Sequence, residues 1–158
     1  MKNVIKVIVL FLIFILSVVA MVIVDIKTVD NNISYAATSS TSDIQLMARA
    51  INGEARGETY EGQVAVGAVI LNRVKSSEFP NTIAGVIYQQ GAFTAVSDGQ
   101  INVPIEEGSS VYKAARDAMN GWDPTGGCIY YFNPDTATNK WVWSRTQVKT
   151  IGKHIFCK

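Results

Sequence analysis

The stretch Val64-Ala-Val-Gly-Ala-Val-Ile-Leu71 sets the terms for everything around it. It is apolar at every position, so no rotation about a helix axis gives it a wet face. Polar extensions with helical character flank it and no turn residue interrupts it, which favours a buried helix over a short buried strand. Thr59 supplies an N-cap, and the helix is expected to run to about Lys75. A helix that is apolar all round must be surrounded, so this one is expected to be the central post of a small α-rich domain. Gly67, near its middle, lets a second backbone come close.

A preceding helix is expected over about Asp43 to Arg56, opened by a capping box of Ser42 and Gln45. Ile44, Met47 and Ile51 fall on one side, while Gln45, Arg49, Asn52 and Arg56 fall on the other. The inward stripe continues onto Glu54 and Glu58. A carboxylate on such a stripe needs a partner or a cleft. Three arrangements satisfy this: Glu54 pairs with a buried arginine, the helix ends early and both glutamates are solvated, or Glu54 lines a cleft. In a cleft, partial withdrawal from water raises the pKa of a glutamate. A carboxyl that holds its proton near neutrality can protonate a leaving oxygen and afterwards act as a base. Gly57 is a candidate left-handed cap, which would take Glu58 off the stripe and leave Glu54 as the catalytic candidate.

Downstream, Phe79-Pro80-Asn81 is a break, and Asn81 or Thr82 opens a short helix to about Gln89. The glycine-bounded segment Gly91 to Asn102 offers Phe93 and Val96 as anchors and Thr94, Asp98, Gln100 and Asn102 as polar groups. It suits one wall of a cleft. A further helix over about Ser109 to Asn120 turns Val111, Ala115, Ala118 and Met119 inward and stops at Gly121. Beyond Gly121, Cys128 to Asn133, Lys140 to Arg145 and Thr150 to Cys157 read as short strands rich in aromatic and β-branched residues. Tyr130 and Phe132 would face one way and Ile129 and Tyr131 the other, with Trp141 and Trp143 sharing a face. One aromatic face packs on the helices, and the other can offer rings and hydroxyls to a sugar chain. The class is α+β.

The 158 residues make one domain with appendages. Met1 to Lys6 carries two lysines, and Val7 to Val24 is apolar except for Ser17, the pattern of an export-directed segment. Residues 1–36 are therefore expected to be a signal cleaved after about Ala36 or a retained membrane anchor. Residues 37–42 form a Ser/Thr-rich flexible tether, and 43–158 form the catalytic domain. Three of the 14 basic and two of the 13 acidic residues lie before Ala37, which leaves 11 of each. Such a balanced surface excludes nucleic acid as the expected partner. His154 is the sole histidine, so no zinc site, metal or other cofactor is expected. Cys128 and Cys157 could bridge in an exported setting or stand as two small buried residues. No nucleophile elbow, phosphate loop or dinucleotide motif occurs, so carboxylate chemistry or simple binding remains.

Several segments together resemble a known family. Ala48-Arg-Ala-Ile-Asn-Gly-Glu-Ala-Arg-Gly-Glu58, Gly62-Gln-Val-Ala-Val66 with Ile70-Leu-Asn-Arg73, and Phe79-Pro-Asn81 come first. Phe93-Thr-Ala-Val96 with Asp98-Gly-Gln100, Tyr130-Tyr-Phe-Asn-Pro134 and Ile151-Gly-Lys-His-Ile-Phe156 follow in order. They are similar to the catalytic domain of SleB-type spore cortex-lytic enzymes over essentially all of Asp43 to Lys158. The resemblance implies a lysozyme-like helical domain with a small antiparallel sheet, acting as an exported monomer on peptidoglycan glycan strands of the spore cortex during germination. It implies Glu54 as the acid of a lytic transglycosylase that leaves 1,6-anhydro-muramic ends. A hydrolytic muramidase would need a second carboxylate, for which Glu58, Glu61 and Asp98 are candidates. The substrate-facing residues expected are Phe93, Thr94 and Gln100 on the cleft wall and Tyr131, Asn133 and Trp141 in the aromatic part. An N-acetylmuramoyl-L-alanine amidase and a non-catalytic wall-binding module are the alternatives. Many members carry a separate peptidoglycan-binding repeat domain before the catalytic one; here a short tether stands at that place.

Overall fold

The computed structural model describes the backbone of residues 2–158 and the side chains of Lys6, 15–34 and 42–158. The chain divides into two compact units, 1–40 and 41–158. The first unit is helical, with side chains such as Leu16 and Met21 exposed. Among the described residues no helix is long and apolar enough to cross a membrane. The start of the expected export segment (7–14), the cleavage point at Ala36 and the tether up to Thr41 lie outside the described side chains.

Helix α1 spans Lys2–Ala55, so the start expected at Asp43 is not a helix start. With the backbone helical on both sides of Ser42, the capping box has no free N–H groups to satisfy. Gln45 instead donates its Nε2 to the carbonyl of Ile105 at 3.3 Å. Helix α2 spans Tyr60–Lys75 and is capped by the Thr59 hydroxyl, which accepts from Gly62 N at 3.2 Å. Every residue from Gly62 to Ile70 is buried, as an all-round apolar helix demands. Around it lie α3 (Ile83–Ile87), capped by Thr82, a one-turn helix α4 (Thr94–Ser97), a 3₁₀ turn over Gln100–Asn102, and α5 (Ser110–Met119), capped by Ser109.

Helix α2 has cores on two sides. Val64, Val66 and Ile70 meet Met47 and Ile51 of α1, Val86 and Ile87 of α3, and Val111, Ala115 and Ala118 of α5. Ala65 and Val69 meet Cys128, Ile151 and Phe156 on the sheet side. Strands β1 (Tyr130–Phe132), β2 (Gln147–Ile151) and β3 (His154–Cys157) form an antiparallel sheet in the order β1-β3-β2. Tyr131 pairs with Phe156 and Ile151 with His154.

Two of the expected strands are corrected. Lys140–Trp143 is a short helix, α6, because Asn139 accepts from Trp141 N at 3.0 Å and starts a turn where aromatic content alone suggested extension. Trp141 and Trp143 therefore do not alternate along a strand; they pack on Tyr130 and Phe132, with ring centroids 5.1 Å and 4.7 Å apart. The stretch Thr150 to Cys157 is a hairpin, not one strand, because Gly152 turns the chain at φ +59°. Cys128 and Cys157 are both free thiols and both buried.

At Gly67 helix α5 comes close to α2: a Cβ there would stand 3.0 Å from Ala118 Cβ and 3.1 Å from Ile51 Cδ1. Gly67→Val, whose branched side chain has no space to enter, is expected to destabilise the unit by about 1–3 kcal/mol. Its melting temperature against that of the parent measures this.

Candidate active site

Glu54 sits in the last turn of α1, half-buried. Its Oε1 accepts from the backbone N–H of Ala95 at 3.0 Å and its Oε2 from the Tyr131 hydroxyl at 3.2 Å. Neither partner is charged. The one ion pair among the described residues joins Lys149 to Glu61 at 3.2 Å, so Glu54 is not locked to an arginine.

Each partner arrives for a local reason. Ala95 reaches Glu54 because residue 53 is glycine: a Cβ on Gly53 would collide with Ala95 Cβ. Tyr131 is delivered by β1, which is tied to the end of α2. Asn72 Nδ2 donates to the Cys128 carbonyl at 3.1 Å and Arg73 Nε to the Ile129 carbonyl at 2.8 Å. Asp123 holds the loop before β1, accepting from Asn72 Nδ2 and Gly127 N at 2.9 Å each and from Thr125 N at 2.8 Å. Burial, and then the neighbouring charge of Glu54, hold the Tyr131 phenol well above its ordinary 10, against the pull of Arg73. It is a neutral hydroxyl at any working pH.

The other expected site residues fall in different places. Phe93 is 2 % exposed with the Arg73 guanidinium 5.3 Å from its ring centre, so it is packing beneath the site and not a platform. Thr94 is exposed at the start of α4. Gln100 accepts from Arg56 Nη1 at 3.0 Å, which ties the 3₁₀ turn to the end of α1. Asp98 is exposed and accepts from Gln100 N at 3.0 Å. Glu58 is off the helix, although Gly57 lacks the positive φ of a left-handed cap; its N–H bonds the Ala55 carbonyl at 3.0 Å. The Glu58 carboxylate accepts from Lys153 N at 2.9 Å, bracing the β2–β3 turn. Asn133 accepts from Asp135 N at 2.9 Å in the turn after β1. Trp141 is 46 % exposed, edge-on to Tyr130.

Two groups near the site were not singled out by sequence reasoning. Arg73 is 8 % exposed on α2, three residues after Ile70 on the buried side. A cation on the inward stripe was the available signal. His154, the sole histidine, is 7 % exposed with its ring 5.1 Å from that of Tyr131. Its Nδ1 is buried with no hydrogen-bond partner. Among the described residues no three His, Cys, Asp or Glu side chains gather as a metal site.

A lysozyme-like α+β domain presenting one glutamate between a backbone N–H and a neutral phenol is the class that fold and site define. Residues 57–157 match the family model described as Cell Wall Hydrolase, and the chain belongs to that family. A spore cortex-lytic enzyme of Bacillus cereus is 66% identical over 119 residues, covering 75% of this chain and 45% of that protein. The chain thus spans less than half the length of this relative. The crystal structure of the catalytic domain of the Bacillus cereus SleB protein superposes with a TM-score of 0.70 at 65% identity, covering 75% of this chain and 91% of that one. The catalytic domain of the germination-specific lytic transglycosylase SleB from Bacillus anthracis gives 0.70 at 66% identity, over 73% and 93%.

His154 gives the stability of the unit a pH dependence. Burial lowers its pKa from the ordinary 6.5; Glu58 and Glu54 pull it up, and Lys153 adds to the lowering. The unfolded chain therefore takes up this proton first as pH falls. The contribution is complete above 6.5 and is lost as pH drops toward the lower folded value. His154→Phe, which keeps the ring packing, should show a flatter fall in melting temperature over that window than the parent. Equal slopes in the two proteins would contradict this.

Proposed function

We propose that the protein cleaves the bond between N-acetylmuramic acid and N-acetylglucosamine in peptidoglycan, as a lytic transglycosylase, and that Glu54 is its acid and base. The observation that carries this reading is a half-buried glutamate held at both oxygens by uncharged donors, with no cation in contact. An arginine pair would tie the carboxylate to a counter-charge; one N–H and a phenol orient it without one.

On this reading the acid proton has a definite place. The Ala95 N–H can only donate, so Oε1 is the acceptor in both protonation states and Oε2 carries the acid proton. The Tyr131 hydroxyl both donates and accepts, so it turns as Oε2 changes state. Oε2–H protonates the glycosidic oxygen as the C1–O bond breaks. The resulting carboxylate then takes the proton of the 6-hydroxyl while O6 bonds to C1, closing the 1,6-anhydro ring. One carboxylate suffices because the nucleophile belongs to the sugar. Of the candidates for a second one, Glu58 and Asp98 already accept backbone N–H bonds that brace a turn and a 3₁₀ start, and Glu61 is paired with Lys149. This favours transglycosylation over a two-carboxylate hydrolase.

The similarity to cortex-lytic enzymes supports spore cortex as the wall attacked during germination. On the same reading the lysine-flanked apolar run at the N-terminus directs export, and the catalytic unit works as a monomer. Mass spectrometry of digested cortex tests the reaction, because anhydro ends weigh one water less than reducing ends. Glu54→Gln is expected to keep the fold and lower cleavage by at least about 10²-fold, the usual contribution of a general acid. Tyr131→Phe should lower it by roughly 10-fold to 100-fold, the effect of one hydrogen bond to a charged group. Parent-like turnover by Glu54→Gln would remove the mechanism.

A further inference from the structure

Arg73 carries a positive charge that the fold does not neutralise by contact. It is 8 % exposed, and among the described residues no carboxylate stands within 4.0 Å of it. Its Nε bonds the Ile129 carbonyl at 2.8 Å, and no described residue accepts a hydrogen bond from its two terminal nitrogens. The rings of Phe79, Phe93 and Tyr130 surround the guanidinium at 5.2, 5.3 and 5.8 Å. Aromatic faces ease the burial of a cation but leave its remaining N–H donors unanswered.

Arg73 lines a cavity of about 240 Å³ together with Phe79, Gln89, Gln90, Tyr130 and Trp141, and no aspartate or glutamate lines it. A second guanidinium, that of Arg145, lies 4.1 Å from the ring centre of Trp141 and 5.2 Å from that of Tyr130. Its Nε is buried and has no partner either. Two guanidinium groups thus flank the Tyr130 ring beside an open space without a counter-charge. Arg73 also bonds the Ile129 carbonyl, two residues before Tyr131, the partner of Glu54, which links this lining to the candidate acid.

We propose that this cavity binds a carboxylate carried by the muramyl residue of the glycan. The terminal nitrogens of Arg73 grip it as a fork, the side-chain amides of Gln89 and Gln90 meet the flanking amide groups, and the exposed ring of Trp141 supports the sugar. A planar guanidinium matches a carboxylate with two parallel hydrogen bonds. The pocket selects muramyl sugars over plain N-acetylglucosamine polymers by charge. This assignment rests on the glycan-cleaving reading for the identity of the ligand, whereas the anion site rests on the residues alone.

Binding measured by calorimetry on the full chain carrying Glu54→Gln tests it without turnover. The probes are the N-acetylglucosaminyl-N-acetylmuramic acid disaccharide with its free lactyl carboxylate, the same disaccharide with L-alanine amide-linked to the lactyl group, and neutral diacetylchitobiose. At least one acid is expected to bind about tenfold tighter than the neutral sugar, the gain of one good charge-assisted contact. Tighter binding of the first names the sugar's own acid, and of the second the peptide stem. Adding Arg73→Gln should erase the preference for the acid over chitobiose, while Arg73→Lys keeps part of it. Where Arg73→Gln fails to fold, the methyl ester of the preferred acid replaces it and must bind no better than chitobiose. Equal affinities for acids and neutral sugar, or an equal loss for both on Arg73→Gln, would overturn the assignment. Glycan cleavage is measured separately on the parent, so failure of the cleavage reading and failure of the anion site give different results.

Discussion

The Glu54 carboxylate joins three parts of the chain. Its own helix, the loop helix α4 reached 41 residues later and strand β1 reached 77 residues later meet at two hydrogen bonds. Neither α4, four residues long, nor β1, three residues long, would hold its place alone. They are fixed by what lies beneath. Phe93 is buried next to α4, Asn72 and Arg73 hold the carbonyls before β1, and Gly53 leaves room for Ala95. A carboxylate sheltered in this way is oriented without being neutralised by a cation, which is the condition for a group that must gain and lose a proton during one turnover.

Helix α2 makes the arrangement possible, and this part was legible in the sequence. Its all-round apolar centre predicted burial, and its caps at Thr59, with those at Thr82 and Ser109 on the neighbouring helices, could be read from residue type and position. The inward stripe through Met47 and Ile51 pointed to Glu54, and the structure gives Glu54 two partners from the segments read as a cleft wall and an aromatic strand. The stripe did not reach as far as Glu58. A backbone turn from Ala55 to Glu58 swings that side chain to the hairpin of β2 and β3, and Gly57 was the local signal that the helix could stop there.

The aromatic part was harder to read, for two physical reasons. Tryptophan and tyrosine are enriched in strands because they suit half-buried surfaces, and a one-turn helix lying on a sheet offers the same surface. Lys140–Trp143 takes that second route because Asn139 caps it. The Thr150 to Cys157 run carries its turn at Gly152, and a Cβ there would collide with the Glu58 carboxylate. That glycine is required by a contact from a residue 94 positions upstream, and period and propensity carry no trace of it.

Arg73 shows why core and site cannot be separated in this domain. At its position on α2 a leucine would complete the packing, and a buried guanidinium costs several kcal/mol unless its surroundings compensate. The compensation is partial: three aromatic faces, one carbonyl and the distant charge of Glu54. Burial lowers the pKa of Arg73, with Tyr131, Tyr130 and Glu54 working in the opposite direction, yet arginine stays charged under all working conditions. The residual electrostatic demand faces the cavity. A ligand carboxylate entering there would find donors already oriented by the carbonyl of Ile129, so little ordering would remain to be done on binding. The same contact that aligns Arg73 also anchors the approach to Tyr131, so the proposed anion pocket and the proposed acid share one structural support.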